Sequence, residues 1–188
     1  MTRFHRTAAF GALTCLLALS VAMYAQQARV ANTASNVAGN ITNDVLRRAG
    51  TANDPLPGSW LSYGRTQGET RYSTLKQIDA TNVSRLGLAW TYEVSFGGGG
   101  NQEATPLVAN GILYSVTQWS IAYAVDTRTG KELWRYDPKV DRVVVGPRIC
   151  CGNVVRGLAI YKDKIYVPVL DGRLVAVRGR AHNRIARV

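Results

Sequence analysis

Histidine and cysteine are scarce in this sequence, with two His and three Cys among 188 residues. His5 and His182 sit near opposite ends, so no four-ligand zinc set of Cys and His is on offer. Acidic residues are also few, 12 against 23 basic ones, which gives a net charge of +11. That excess does not describe a nucleic-acid surface. Arg3, Arg6, Arg178, Arg180, Arg184 and Arg187 lie at the two chain ends, and the +5 that remains is spread over the body with no basic cluster. Tracking phosphates needs Lys and Arg clustered on one face, so nucleic acid is excluded as a partner. Beyond Gly58 no segment carries a 3.6-residue apolar period, which excludes a helical domain there. A hydrophobic fraction of 46% in turn excludes a disordered or collagen-like chain.

What is present begins with an export signal. Arg3, His5 and Arg6 form a short basic start, no charge follows from Thr7 to Ala28, and the core AAFGALTCLLALSVAM is apolar. Small residues at Ser20, Ala22 and Ala25 supply cleavage positions, so residues 1–25 are expected to be a signal peptide. An uncleaved anchor is the alternative, since the uncharged stretch approaches the ~20 residues that span a bilayer. With cleavage, no stable membrane insertion is expected. Cys15 lies within the apolar core and leaves with it. Cys150 and Cys151 remain, adjacent, in a chain bound for an oxidising compartment, which favours a disulfide over a metal-thiolate site. Adjacency leaves three outcomes open: a strained ring between the two, two thiols that never pair, or bonds to other chains.

Residues 26–58 form a leader poor in large apolar side chains. Within it NITNDVLRRAG has the marks of a short helix, capped by Thr42 or Asn43 and stopped by Gly50, and NDPLPG closes the leader as a turn. From residue 59 to 177 the pattern is all-β. GLAWTYEV, NGILYSVT, SIAYAVD, LAIYKDKIYVPVL and GRLVAV are short runs rich in Val, Ile, Tyr and Trp, separated by Gly, Asp and Asn.

These runs repeat. Tyr114 in NGILYSV maps onto Tyr166 in KDKIYVPV, 52 residues on, and the same offset maps Ala124-Val125 onto Ala176-Val177. Trp90 and Trp134 form a shorter echo, 44 residues apart. Several short strands per repeat of this length are the sequence signature of β-propeller blades; a β-sandwich with chance spacing is the alternative. About two blades fit in the chain, which predicts the front end of a longer propeller, since an open arc leaves blade faces uncovered. The repeat holds through Val177 and then departs. Arg178, Ala181, His182 and Ala186 stand where Asp126, Thr129, Gly130 and Trp134 would recur. Residues 178–188 are therefore expected to be an aberrant basic tail, the product of a frameshift or truncation.

The segment A-x-D-x-x-T-G-x-x-x-W (124–134) has a mechanical reading: Asp126, Thr129 and Gly130 build a tight turn, with Lys131 beside it, and the Trp wedges between blades. Together with WLSYGRTQGETRYSTLKQI, NVSRLGLAWTYEV, NQEATPLVANGILYSVT and CCGNVVRGLAIYKDKIYVPVLDGRLVAV, it makes the chain resemble the pyrroloquinoline quinone (PQQ)-dependent alcohol dehydrogenases, from about Leu56 to Val177. The resemblance implies an eight-bladed propeller with PQQ and a calcium ion near its axis. It also implies periplasmic oxidation of primary alcohols by hydride transfer to PQQ. A cytochrome c would be the electron acceptor, and haem c would be present if a cytochrome domain follows.

By the same resemblance Cys150 and Cys151 form a vicinal disulfide against one face of the quinone, and Glu103 and Arg156 are cofactor contacts. Independently, the 52-residue offset carries Glu103 to Val155, beside Arg156, so both fall near the start of equivalent strands, where blades converge on the axis. A guanidinium suits a tricarboxylate cofactor through forked, charge-assisted hydrogen bonds. The family's catalytic aspartate and calcium ligands match no position here, so no catalytic or metal-binding residue is expected in this chain, and the chain alone is expected to be inactive. SFGGGGNQ (95–102) has no G-K-[ST] and is expected to be a plain loop. The competing function is a non-enzymatic periplasmic propeller scaffold, which would keep the Trp motif but have no use for paired cysteines.

Overall fold

A computed structural model describes residues 41–94 and 101–179, together with the backbone of 185–187. All of these belong to the compact unit Ala38–Val188. The expected signal peptide, the first part of the leader and most of the glycine-rich loop lie outside the described residues.

Eight strands form two four-stranded antiparallel meanders. The first sheet comprises β1 (Leu107–Ala109), β2 (Ile112–Val116), β3 (Ala122–Asp126) and β4 (Glu132–Tyr136), and the second β5 (Ala159–Tyr161), β6 (Lys164–Pro168), β7 (Leu174–Arg178) and β8 (Ile185–Arg187). Each meander is a propeller blade. The first three strands of the two sheets match at the 52-residue offset seen in the sequence, and so does their pairing: Leu107 opposes Tyr114 as Ala159 opposes Tyr166. The offset also survives into the tail. Ala176 pairs with Ala186 as Ala124 pairs with Trp134, so residues 185–187 occupy the fourth-strand place although their sequence departs from the repeat.

Alternation on the strands decides how the sheets stack. Leu107, Tyr114, Val116, Ala122, Ala124 and Trp134 share one face of the first sheet. They form one core with Ile160, Ile165, Val167, Val175 and Val177 from the facing side of the second. Val116, Ile165 and Val167 are fully buried, and each side chain of this size contributes about 1.5–3 kcal/mol by leaving water. Strand β3 is buried almost throughout because its other face is covered too. There the Tyr92 ring lies 5.2 Å from that of Tyr123, and Thr117 Oγ1 donates to the Val94 carbonyl. GLAWTYEV was expected to be a strand. It joins no ladder among the described residues, and it lays Tyr92 and Trp90 against the first blade, at Tyr123 and Gly130.

The tryptophan motif works as the sequence suggests. Asp126 Oδ1 accepts from the amides of Arg128 and Thr129 and from the Thr129 hydroxyl, and these bonds hold its carboxyl below the usual aspartate range, those from Thr129 most of all. Gly130 takes φ +72°, and a Cβ placed on it would meet the Trp90 ring at 2.8 Å. Only glycine allows that approach.

The leader's helix is present as α1 (Asn43–Arg48), with Thr42 as its N-cap. Just before it, Ile41 is fully buried and bridges Lys162 at the β5–β6 turn, so the leader is built into the second blade. A second short helix, α2 (Arg142–Val145), was not visible in the sequence. It is a single turn capped by Asp141, too short to show a period. No helix among the described residues is long and apolar enough to cross a membrane.

Candidate functional site

Glu103 and Arg156 meet where the two blades begin. Glu103 precedes β1, Arg156 precedes β5, and the Thr105 amide donates to the Arg156 carbonyl at 3.2 Å, tying the two strand entrances together. Across that tie, Arg156 Nε lies 3.2 Å from Glu103 Oε2. The guanidinium side chain is 71% exposed and the carboxylate 38%, so this pair contributes little to stability. It does preset the arginine. Glu103 engages Nε, the one ion-pair contact of Arg156 among the described residues, and leaves the terminal nitrogens available.

Cys150 and Cys151 lie on the loop between α2 and β5, after a 3-10 turn at Gly146–Arg148. Both are exposed free thiols, with their sulfur atoms 3.0 Å apart. The two sulfurs are thus in contact, side by side on the loop. The Cys150 sulfur raises the proton affinity of Cys151 above the usual thiol range, while Arg156 pulls the other way and Glu103 adds to the rise. Cys151 thus lies within electrostatic reach of the other three residues singled out from the sequence. Beside Arg156 opens a pocket of about 590 Å³, whose walls include Tyr63, Leu107, Leu158, Tyr166 and Leu174. Tyr166 and Leu174 belong to the face of the second sheet that corresponds, at the 52-residue offset, to the face of the first sheet that the second one covers.

The donor set fits one wall of a PQQ site: a guanidinium with free nitrogens for a carboxylate or quinone oxygen, and a pair of exposed, polarisable sulfurs beside an apolar hollow. It does not fit calcium. Among the described residues there is no group of three or more His, Cys, Asp and Glu able to hold a metal ion.

Sequence reasoning missed two features. Trp119 and Asn153 join the cysteine loop to the first blade by a backbone bond, and only the left-handed conformation of Trp119 reveals it. Arg65 is buried at 3% exposure with Asp54 at 3.7 Å and also donates to the Pro57 carbonyl. The pair organises the turn before Trp60, and nothing in RTQGETR, which holds both Arg65 and Arg71, hints at which arginine is buried.

Comparison with known proteins bears on the same segments. The family described as "PQQ: Glucose/ethanol/alcohol dehydrogenase, beta-propeller domain" matches residues 60–185. Quinohemoprotein alcohol dehydrogenase ADH-IIG of Pseudomonas putida is 42% identical over 169 residues, 90% of this chain and 23% of that protein. The 1-butanol dehydrogenase (cytochrome c) of Thauera butanivorans is 44% identical over 128 residues, 68% of this chain and 18% of that protein. Among solved structures, quinohemoprotein alcohol dehydrogenase from Comamonas testosteroni superposes with a TM-score of 0.69 at 40% identity, covering 84% of this chain and 23% of the other. The chain spans less than a quarter of the length of the curated relatives it matches. Two sheets in register, the tryptophan docked on Gly130 and this match over most of the chain lead to one assignment: the chain belongs to the PQQ-dependent glucose/ethanol/alcohol dehydrogenase β-propeller family.

Proposed function

We propose that these two blades supply one wall of the cofactor site of a quinoprotein that oxidises primary alcohols to aldehydes. The observation that carries this reading is the convergence of Glu103 and Arg156, from the starts of two consecutive blades, beside the Cys150–Cys151 pair. When bound, PQQ accepts the hydride that leaves the alcohol. The part played by this chain is binding and orientation. Arg156 offers its terminal nitrogens to an anionic cofactor, and Glu103 fixes the direction of the guanidinium through Nε. The two cysteines, joined as a vicinal disulfide after export, present a flat surface for ring stacking, and the leading face of Leu158 and Tyr166 keeps water from it.

Turnover belongs to the longer protein: a general base and a calcium site come from further blades, and the open face of the second sheet is where the next blade packs. Residues 1–25 direct export to the periplasm, where a cytochrome c accepts the electrons; the name of the Thauera relative supports such an acceptor. PQQ titration of the full-length protein tests the assignment. Arg156→Ala is expected to weaken binding by about 1.5–3 kcal/mol, the range for a hydrogen bond to a charged group, and Arg156→Lys to restore only part of it, since an ammonium cannot fork. Unchanged affinity in both variants removes Arg156 from the site.

A further inference from the structure

Two consecutive non-glycine residues, Trp119 and Ser120, adopt left-handed backbone conformations, with φ +59° and +62°. Such backbone is disfavoured for L-residues with a Cβ, and the strain persists only where surrounding contacts enforce it. Glycine would sit there without penalty, so the side chains are what the position requires. Ser120 is fully buried and its Oγ accepts from the Leu170 amide at 3.1 Å, anchoring the turn to the second blade. Trp119 reaches the cysteine loop from both sides. Its amide donates to the Asn153 carbonyl at 3.1 Å, two residues after Cys151. Its ring lies under the Arg142 guanidinium, 5.2 Å away, and the ring edge is 3.8 Å from where a Gly146 Cβ would be, on the arm that leads to Cys150.

We infer that Trp119 is a positioning residue for the cysteine pair: it clamps both arms of the 142–153 loop and so fixes the backbone around Cys150 and Cys151 in a conformation that brings the two sulfurs into contact. The inference rests on the cofactor-site reading for its functional meaning but not for its test. No loop opening can part neighbouring cysteines, but the vicinal ring closes in few conformations of the peptide between them, so removing the clamp widens that choice and shifts the thiol–disulfide equilibrium toward the dithiol.

The test is equilibration of the full chain with reduced and oxidised glutathione, read by mass spectrometry, without quinone. In that exchange the Cys150 and Cys151 thiols reduce one glutathione disulfide to two glutathione thiols. They give up both protons and become joined by an S–S bond. Trp119→Gly keeps the turn but loses the ring, and is expected to lower the equilibrium constant for the bridge about tenfold, or about 30 mV. Trp119→Phe retains a ring over Gly146 and is expected to stay within threefold of the wild type. Arg142→Gln, which leaves the fold's core untouched, is expected to lower the constant about threefold and decides the matter if Trp119→Gly does not fold. Constants within twofold of the wild type in the folded variants, with only the urea midpoint lowered, reduce Trp119 to a structural residue and overturn the inference. A wild-type pair that stays as two thiols against excess glutathione disulfide overturns it as well. Failure of the wild type to bind PQQ while these shifts appear counts against the cofactor reading alone.

Discussion

Trp134 donates its indole hydrogen to the Gly179 carbonyl at 2.9 Å, and this bond reproduces one made a blade earlier, from Trp90 to the Thr127 carbonyl at 2.9 Å. The two acceptors are 52 residues apart, the repeat length. Tyr114 adds a second donor to the Gly179 carbonyl at 3.2 Å. A tryptophan at the end of one unit thus locks onto the turn of the next, and the lock requires a turn of the right shape.

At the first lock the turn is complete, and Gly130→Ala is expected to break it. The new Cβ would meet the Trp90 ring at 2.8 Å and sit at φ +72°. Left-handed strain and overpacking each cost about 1–3 kcal/mol, so a loss of at least about 2 kcal/mol is expected in urea unfolding, with a change in tryptophan emission. An unchanged midpoint would show that Trp90 is free to move aside.

At the second lock the sequence lacks the turn residues. Restoring them with Arg178→Asp, Ala181→Thr and His182→Gly is expected to add about 1 kcal/mol, the net worth of one good hydrogen bond. The urea midpoint should rise at constant slope. A fall would mean that the present tail contributes contacts of its own.

Tyr92 ties the segment 87–94 to β4. Its hydroxyl donates to Glu132, which also pairs with Arg135. Burial first, and then the Glu132 carboxylate, push its pKa from 10.0 up to about 12. A folded pKa above the unfolded one means that the stabilisation is complete below pH 10 and is lost as pH rises from there through 12. Unfolding followed from pH 8 to 12.5 is expected to show that loss in the wild type and a smaller one in Tyr92→Phe. Parallel curves would place the alkaline transition elsewhere.

The cysteine pair is exposed, and a bridge between neighbours closes almost no chain, so it removes little unfolded-state entropy. Cys150→Ala with Cys151→Ala is therefore expected to leave the melting temperature nearly unchanged while lowering quinone retention in the full-length enzyme. A double variant with full retention would take the sulfurs out of the site.

The sequence determined what depends on local chemistry and on periodicity. Turn residues at Asp126, Thr129 and Gly130, strand runs with period two, a capped helix at Thr42 and an offset of 52 residues all act over a few positions or repeat visibly, so the two blades could be counted and registered in advance. Even Glu103 and Arg156 could be paired this way, because a constant offset turns distance along the chain into proximity at the axis. The tertiary structure decided what depends on partners. GLAWTYEV has the composition of a strand but joins no ladder among the described residues, and what places it is the docking of Trp90 and Tyr92 on the first blade. Arg65 is buried because Asp54 meets it across a turn, and Trp119 is held left-handed because a loop some thirty residues further along the chain closes over its ring. None of these leaves a local mark, since each is a contact between segments whose own propensities are satisfied in several ways, and only packing selects among them.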